Sequence, residues 1–289
     1  MTICLAALCR QHDQPVAVVA ADRMVTMGGF IEFEHPVPKM AQPSPLAVVM
    51  VAGDTLVGTR MAQEVSGALY GTSPRVLDIA QRLAMQYQAM RQQALESQIL
   101  GPRGLSLASF YGGHASFNPQ ITMMLDQQMS QFNFGVELLL SGVDDGGAHI
   151  FSVHNPGPSE LQHDVIGYAA IGSGAIHAVQ SMIGFGHSAA AGVPETIFRV
   201  YASKRRAEVA PGVGQDTDLG IISADGIGWL SDEQIKILAQ LYEEARTAAA
   251  TDLAGKLAEL DLSGRPTEDG ADAPGDDGGA RDRPTGDRS

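Results

Sequence analysis

Two apolar runs at the start of the chain constrain its fold more than any other feature. Thr2 to Leu8 is apolar, Val16 to Ala21 is a second run rich in valine, and the polar Arg10-Gln11-His12-Asp13-Gln14-Pro15 separates them. A strand with one wet face alternates apolar and polar residues. A strand without polar residues must be covered on both faces. The pair therefore predicts a buried hairpin with a polar connection of Gln11 to Pro15. Asp22-Arg23 follows at once, which places a carboxylate and a guanidinium at the end of a buried strand.

Along the rest of the chain the hydrophobic period switches repeatedly. Gly28-Gly29 marks a turn, Phe30 to Phe33 alternates, and Pro36 and Pro38 break the pattern just before Lys39. Leu46 to Ala52 reads as another buried strand, ended by Gly53-Asp54-Thr55. From Thr55 the apolar residues fall at helical spacing, and Ser73-Pro74 reads as the N-cap and first turn of a second, longer helix. Strands are predicted again over Leu105–Tyr111, Gln120–Asp126, Val136–Gly142 and His149–Val153, with Asp144-Asp145-Gly146-Gly147 as a hairpin turn. Tyr168 to Ile171 is a short strand ending in Gly172-Ser173-Gly174, which opens a helix; Glu195 to Ala210 forms another. Leu219–Ser223 and Ile227–Leu230 make a last hairpin, and Ser231-Asp232-Glu233 caps a final helix to about Leu260. Strands, paired helices, strands, paired helices, strands and a helix do not alternate as a doubly wound sheet does. The order predicts an α+β fold with two antiparallel sheets between helix layers.

Composition limits the partners. From Gly264 to Ser289 the only apolar side chains are three alanines, against seven acids and four arginines. Such a run buries too little surface to offset ordering entropy, so one domain is expected over residues 1–260 and a disordered acidic tail over 261–289. The net charge is −14, and the run from Gly264 supplies −3 of it (four arginines against seven acids). An acidic body argues against a nucleic-acid surface, and the basic Lys204-Arg205-Arg206 is too short to change that. The chain has no apolar run of eighteen residues and no signal-like start, so a cytoplasmic protein that does not engage membranes is expected. Cys4 and Cys9, with no second ligand pair, suggest neither a disulfide framework nor a zinc site, and no cofactor is expected.

Thr2 carries the most specific chemical hint. Once Met1 is removed, a threonine with a free α-amine begins a strand. Such a residue supplies nucleophile and base together: the hydroxyl attacks and the amine takes its proton. It needs a cation to ease alkoxide formation, a carboxylate to hold that cation, and N–H groups to receive an oxyanion. Lys39 and Asp22 lie at neighbouring strand ends, Gly53 follows a buried strand, and Ser173 sits where a helix opens. Taken singly, each also has an ordinary structural explanation. The Gly172-Ser173-Gly174 run invites a phosphate-binding reading, but no lysine follows it as in a P-loop.

Together, Met1-Thr2-Ile3, Val18-Val19-Ala20-Ala21-Asp22-Arg23, Lys39, Val51-Ala52-Gly53, Gly172-Ser173-Gly174 and Gly212-Val213-Gly214-Gln215-Asp216-Thr217-Asp218 resemble a proteasome-type β-subunit of the N-terminal-nucleophile hydrolases. The direct Met-Thr start resembles the bacterial members. The resemblance spans residues 2 to about 230. It implies a four-layer αββα sandwich and a threonine-type endopeptidase acting on peptides or unfolded proteins within a self-compartmentalised homo-oligomer. A separate ATPase unfoldase is implied too, because this chain has no Walker motif. By resemblance Thr2 is the nucleophile, Asp22 and Lys39 the buried pair that tunes it, Gly53 the oxyanion-hole donor, and Ser173 the support of the α-amine. The family often adds an aspartate and a serine before the last strands. Here Glu208 stands as the acid and Pro211 falls where the serine would be. The Glu96 to Phe117 connection is extra. An amide ligase or transpeptidase would use the same Thr2 acyl intermediate, and a subunit that kept Met1 would be a non-catalytic assembly member.

Overall fold

The computed structural model describes residues 2–27, 31–35, 39–113, 116–157 and 159–258. Strands β1 (Cys4–Gln11) and β2 (Gln14–Asp22) form the predicted hairpin, but its turn is shorter than expected. Pairing continues to Gln11 opposite Gln14, leaving His12 and Asp13 alone at the turn with φ of 49° and 65°. Two successive left-handed residues make the tight turn that matches strand twist. The polar residues on either side therefore belong to the ladder and are not a looped insertion.

Strand β10 (Tyr168–Ile171) pairs with β1, and β11 (Thr217–Ser223) pairs with β2 and carries β12 (Gly226–Trp229) at its edge. A second five-stranded sheet runs β5 (Met40–Ser44), β6 (Ala47–Gly53), β7 (Val136–Asp144), β8 (Gly147–His154) and β9 (Leu161–Gln162). Strands β3 (Met24–Met27) and β4 (Ile31–Glu34) form a separate two-stranded ribbon. All the strand pairs within these sheets are antiparallel.

Alternation along the strands sorts the core. Cys4, Ala6, Leu8, Ala17, Val19 and Ala21 of the first sheet pack with Val48, Met50, Ala52 and Leu139 of the second. The opposite faces of β1 and β2 (Leu5, Ala7, Val16, Val18) meet Ala178 and Met182 of α5 (Ala175–Gly184), Val200 of α6 (Val193–Ala207) and Leu238 of α7 (Asp232–Ala258). The outer face of the second sheet, through Val49, Val51, Leu138 and Leu140, meets α1 (Thr55–Leu69) and α2 (Val76–Ala94). This is why the hairpin is apolar on both sides: one face meets the other sheet and one meets helices. The chain is a mixed α/β protein built on antiparallel sheets.

Several expected elements differ. Leu105–Tyr111 and Gln120–Asp126, read as strands, lie in helices α3 (Leu107–Gly113) and α4 (Pro119–Gln131). Asn118 caps α4 by accepting from the Gln120 N–H at 2.9 Å, with Pro119 at the first turn. Leu125 and Met129, four apart, join Leu95, Leu100 and Phe110 in a small separate core. That spacing is helical, and the many polar residues between obscured it. Helix α2 starts at Val76, not at Ser73-Pro74, because Asp144 from the end of β7 accepts the Val76 N–H at 2.8 Å. Helix α6 begins two residues early, with Pro194 in its first turn, and ends at Ala207 instead of Ala210.

The compact unit ends at Tyr242, short of the expected Leu260; the second unit starts at Glu243. Residues 243–258 bury no side chain and are held by local pairs such as Lys256 with Asp252 at 2.7 Å. The Gly28-Gly29 turn, the prolines at 36 and 38, Met1 and the 261–289 tail lie outside the described residues. No described helix is long and apolar enough to cross a membrane.

Candidate active site

Thr2 lies two residues before β1 and is 1 % exposed. Asp22 closes β2, and its N–H donates to the Ile3 carbonyl at 3.2 Å, so hairpin register alone brings residues 2 and 22 together. The Asp22 side chain is fully buried and fully satisfied. Its Oδ1 accepts from the Thr2 hydroxyl, from the Ile3 N–H at 2.9 Å and from Lys39 Nζ at 3.0 Å. Its Oδ2 accepts from the Met24 N–H at 3.1 Å and the Gly214 N–H at 2.9 Å. Lys39 arrives from the start of β5, where its carbonyl accepts the Val51 N–H at 3.0 Å. It is 5 % exposed, and its ammonium donates both to Asp22 and to Thr2 Oγ1. A buried ion pair is tolerated only when its remaining hydrogen-bonding capacity is met, as here. The threonine hydroxyl thus lies between a cation and a carboxylate that both belong to strand ends.

Ser173 approaches from the other side. The Thr2 backbone N–H donates to Ser173 Oγ at 3.2 Å, and the serine hydroxyl lies 3.4 Å from the Thr2 carbonyl and 3.3 Å from the Pro211 carbonyl. Pro211, which cannot supply a serine hydroxyl, supplies a carbonyl acceptor. The Gly174 N–H donates to the Thr2 carbonyl at 3.2 Å. Gly172 has φ of +92°, and a Cβ there would lie 2.4 Å from the Thr2 carbonyl oxygen; only glycine lets this turn close over Thr2.

Thr2, Gly53, Gly172 and Ser173 line one cavity of about 480 Å3, together with Glu137 and His154. Gly53 has φ of +88°, and a Cβ there would sit 1.6 Å from the Gly135 carbonyl oxygen. The close crossing of β6 and β7 therefore requires glycine and leaves Gly53 beside the hydroxyl-bearing residue.

Glu208 is not brought to Thr2. It ends α6 and pairs with Lys204 Nζ at 2.8 Å and with Arg205 at 2.9 Å. Lys204 is fully buried, and its ammonium also donates to the Gly214 and Gln215 carbonyls at 2.7 Å each. Burial pushes its pKa down, opposed by Glu208. Gly214, whose carbonyl Lys204 holds, donates its own N–H to Asp22, so Glu208 acts on the site at two removes. In the sequence Lys204 belongs to a short basic run, but it also falls in helical step with Ile197, Val200 and Tyr201, and that step places it on the core face. Arg23 does not pair with its neighbour Asp22 but with Asp218, at 2.6 Å.

Cys4 and Cys9 are free and buried, and burial pushes both thiols upward, Cys9 to about 11. Neither is an available nucleophile at neutral pH. Among the described residues no group of three or more His, Cys, Asp or Glu side chains is placed to hold a metal ion. Comparison of the chain with family models and with curated proteins returns no match.

Proposed function

We propose that this chain is a threonine-type endopeptidase of the N-terminal-nucleophile class, with the four-layer αββα sandwich its two covered sheets are compatible with. The observation that carries the reading is the Thr2 hydroxyl, buried and hydrogen-bonded to both Lys39 and Asp22. A structural threonine next to a strand has no use for a buried ammonium, because that charge costs several kcal/mol of desolvation (on the order of the penalty for any buried ion).

In this mechanism Met1 is removed and the Thr2 nitrogen, now an amine near Ser173, accepts the Oγ proton directly or through water. The alkoxide, eased by Lys39, attacks a peptide carbonyl. The Gly53 N–H receives the oxyanion, a type of contact worth about 10²–10³ in rate. The new ammonium returns its proton to the departing amine, leaving an ester on Thr2. Water, deprotonated by the same amine, hydrolyses the ester and restores the hydroxyl. Asp22 stays ionised throughout and fixes Lys39. Self-compartmentalisation in a homo-oligomer and a separate ATPase belong to this proposal on the resemblance alone, and a cytoplasmic location on the sequence pattern; particle mass in dilute buffer tests the first. The direct test of activity pairs N-terminal peptide mass with turnover of unfolded casein. Loss of Met1 with casein cleavage that disappears in Thr2→Ala is expected; undiminished cleavage by that variant contradicts the reading.

A further inference from the structure

The cavity beside Thr2 has one carboxylate in its lining, Glu137, and among the described residues no lysine or arginine lines it. Packing does not explain this acid. On β7, Val136, Leu138 and Leu140 face the helices, while Leu139 and Val143 face the other sheet. Glu137 continues the second row, opposite Ala52 on β6 and His154 on β8. An apolar residue would extend the inter-sheet core at that position. Instead an exposed carboxylate stands where the sandwich opens at the Thr2 end. One of its oxygens, Oε2, accepts the Gly172 N–H at 2.8 Å. Gly172 itself touches Thr2, so the charge lies one residue away from the nucleophile.

We infer that Glu137 is a specificity-determining residue that favours peptides carrying a lysine or arginine next to the scissile bond. The cationic head pairs with the Glu137 carboxylate while its aliphatic stem runs along the cavity wall. The substrate class follows from charge: a peptide acid in the same place would face Glu137, and among the described residues no lysine or arginine lines the cavity to offset it, the Lys39 ammonium being committed to Asp22 and Thr2. This inference rests on the peptidase reading above.

The test uses the full chain with loss of Met1 verified by mass. Its substrates are equal-length peptides differing only in Lys, Arg, norleucine or Glu at the two positions flanking the scissile bond, with cleavage sites mapped by mass. Cleavage beside Lys or Arg is expected to exceed norleucine by roughly five- to tenfold in kcat/KM at low salt, shrinking as salt rises. Glu137→Gln, which keeps an acceptor for the Gly172 N–H, is expected to erase that preference. Glu137→Lys is expected to turn it toward Glu. Thr2-dependent cleavage whose preference is the same in wild type, Glu137→Gln and Glu137→Lys overturns this inference and leaves the peptidase reading standing. Absence of Thr2-dependent cleavage of every peptide and of unfolded casein overturns both. A thermal midpoint for Glu137→Gln within a few degrees of wild type excludes a folding defect as the cause of a lost preference.

Discussion

Two buried lysines flank Asp22, and they differ in what their protons touch. Lys39 donates to a carboxylate and to the Thr2 hydroxyl, a group that can change its own charge. Lys204 donates to Glu208 and to two backbone carbonyls, groups whose charge does not change at neutral pH. Both reach Asp22, one directly and one through Gly214. In the proposed mechanism the first stabilises a developing alkoxide. The second has every proton committed to holding a loop. Burial alone therefore does not mark a functional lysine; the chemistry of its acceptors does.

Breaking the first member of the pair gives the largest catalytic effect. Lys39→Ala is expected to lower kcat by roughly 10²–10⁴, the range for one lost acid–base or electrostatic group. It should also lose stability, about 3–5 kcal/mol, because it leaves Asp22 a buried charge without its cation; the Ile3, Met24 and Gly214 N–H donors that Asp22 keeps should let the variant still fold. A thermal melt alongside single-turnover kinetics checks both halves. Near-normal turnover in a folded variant would remove the distinction between the lysines. For Lys204→Met a stability loss with a much smaller fall in kcat is expected. Truncating one partner of a buried pair costs about 3–5 kcal/mol. Urea unfolding should show that loss, and kcat should fall less than in Lys39→Ala. An equal kcat loss without destabilisation would move Lys204 into the catalytic group.

Chain order made part of this site legible. Thr2 and Asp22 meet because a two-residue turn fixes the register of two apolar strands, and Ser173 follows a strand read from the sequence, whereas the strand that begins after Lys39, Met40–Ser44, has no clear period. Glu208 was located on the right helix but assigned the wrong reach: a salt bridge to Lys204 depends on which way the helix faces, and a residue-type match does not specify that. The helices α3 and α4 were misread because their cores are satellites with two or three apolar residues each, too few to impose a visible 3.6-residue period. Glu137 was hidden inside a strand pattern that otherwise reads as core. Its meaning appears only when β7 is set against the Thr2 turn across the sandwich.

A buried histidine sharpens the comparison at smaller amplitude. His187 Nε2 lies 3.0 Å from the Leu8 carbonyl, to which it donates, and Nδ1 has no partner. Burial holds its pKa below the ordinary 6.5. A base with a depressed folded-state pKa takes up fewer protons folded than unfolded, so stability rises with pH through that range and is lost as pH falls below about 6.5. Unlike either lysine, it is tolerated by staying neutral. His187→Gln should flatten the pH dependence of the thermal midpoint between pH 5 and 7, a slope change of less than about 1.4 kcal/mol per pH unit. An unchanged slope would assign the acid sensitivity elsewhere.

The central claim is that Thr2 Oγ is the nucleophile. The most direct measurement treats the protein with an electrophilic peptide β-lactone and maps the adduct by peptide mass. The account predicts Met1 lost and one ester-linked adduct per chain on Thr2, absent in Thr2→Ala and slowed in Lys39→Ala. Retained Met1, or an adduct on Cys4, Cys9 or any residue other than Thr2, would contradict it.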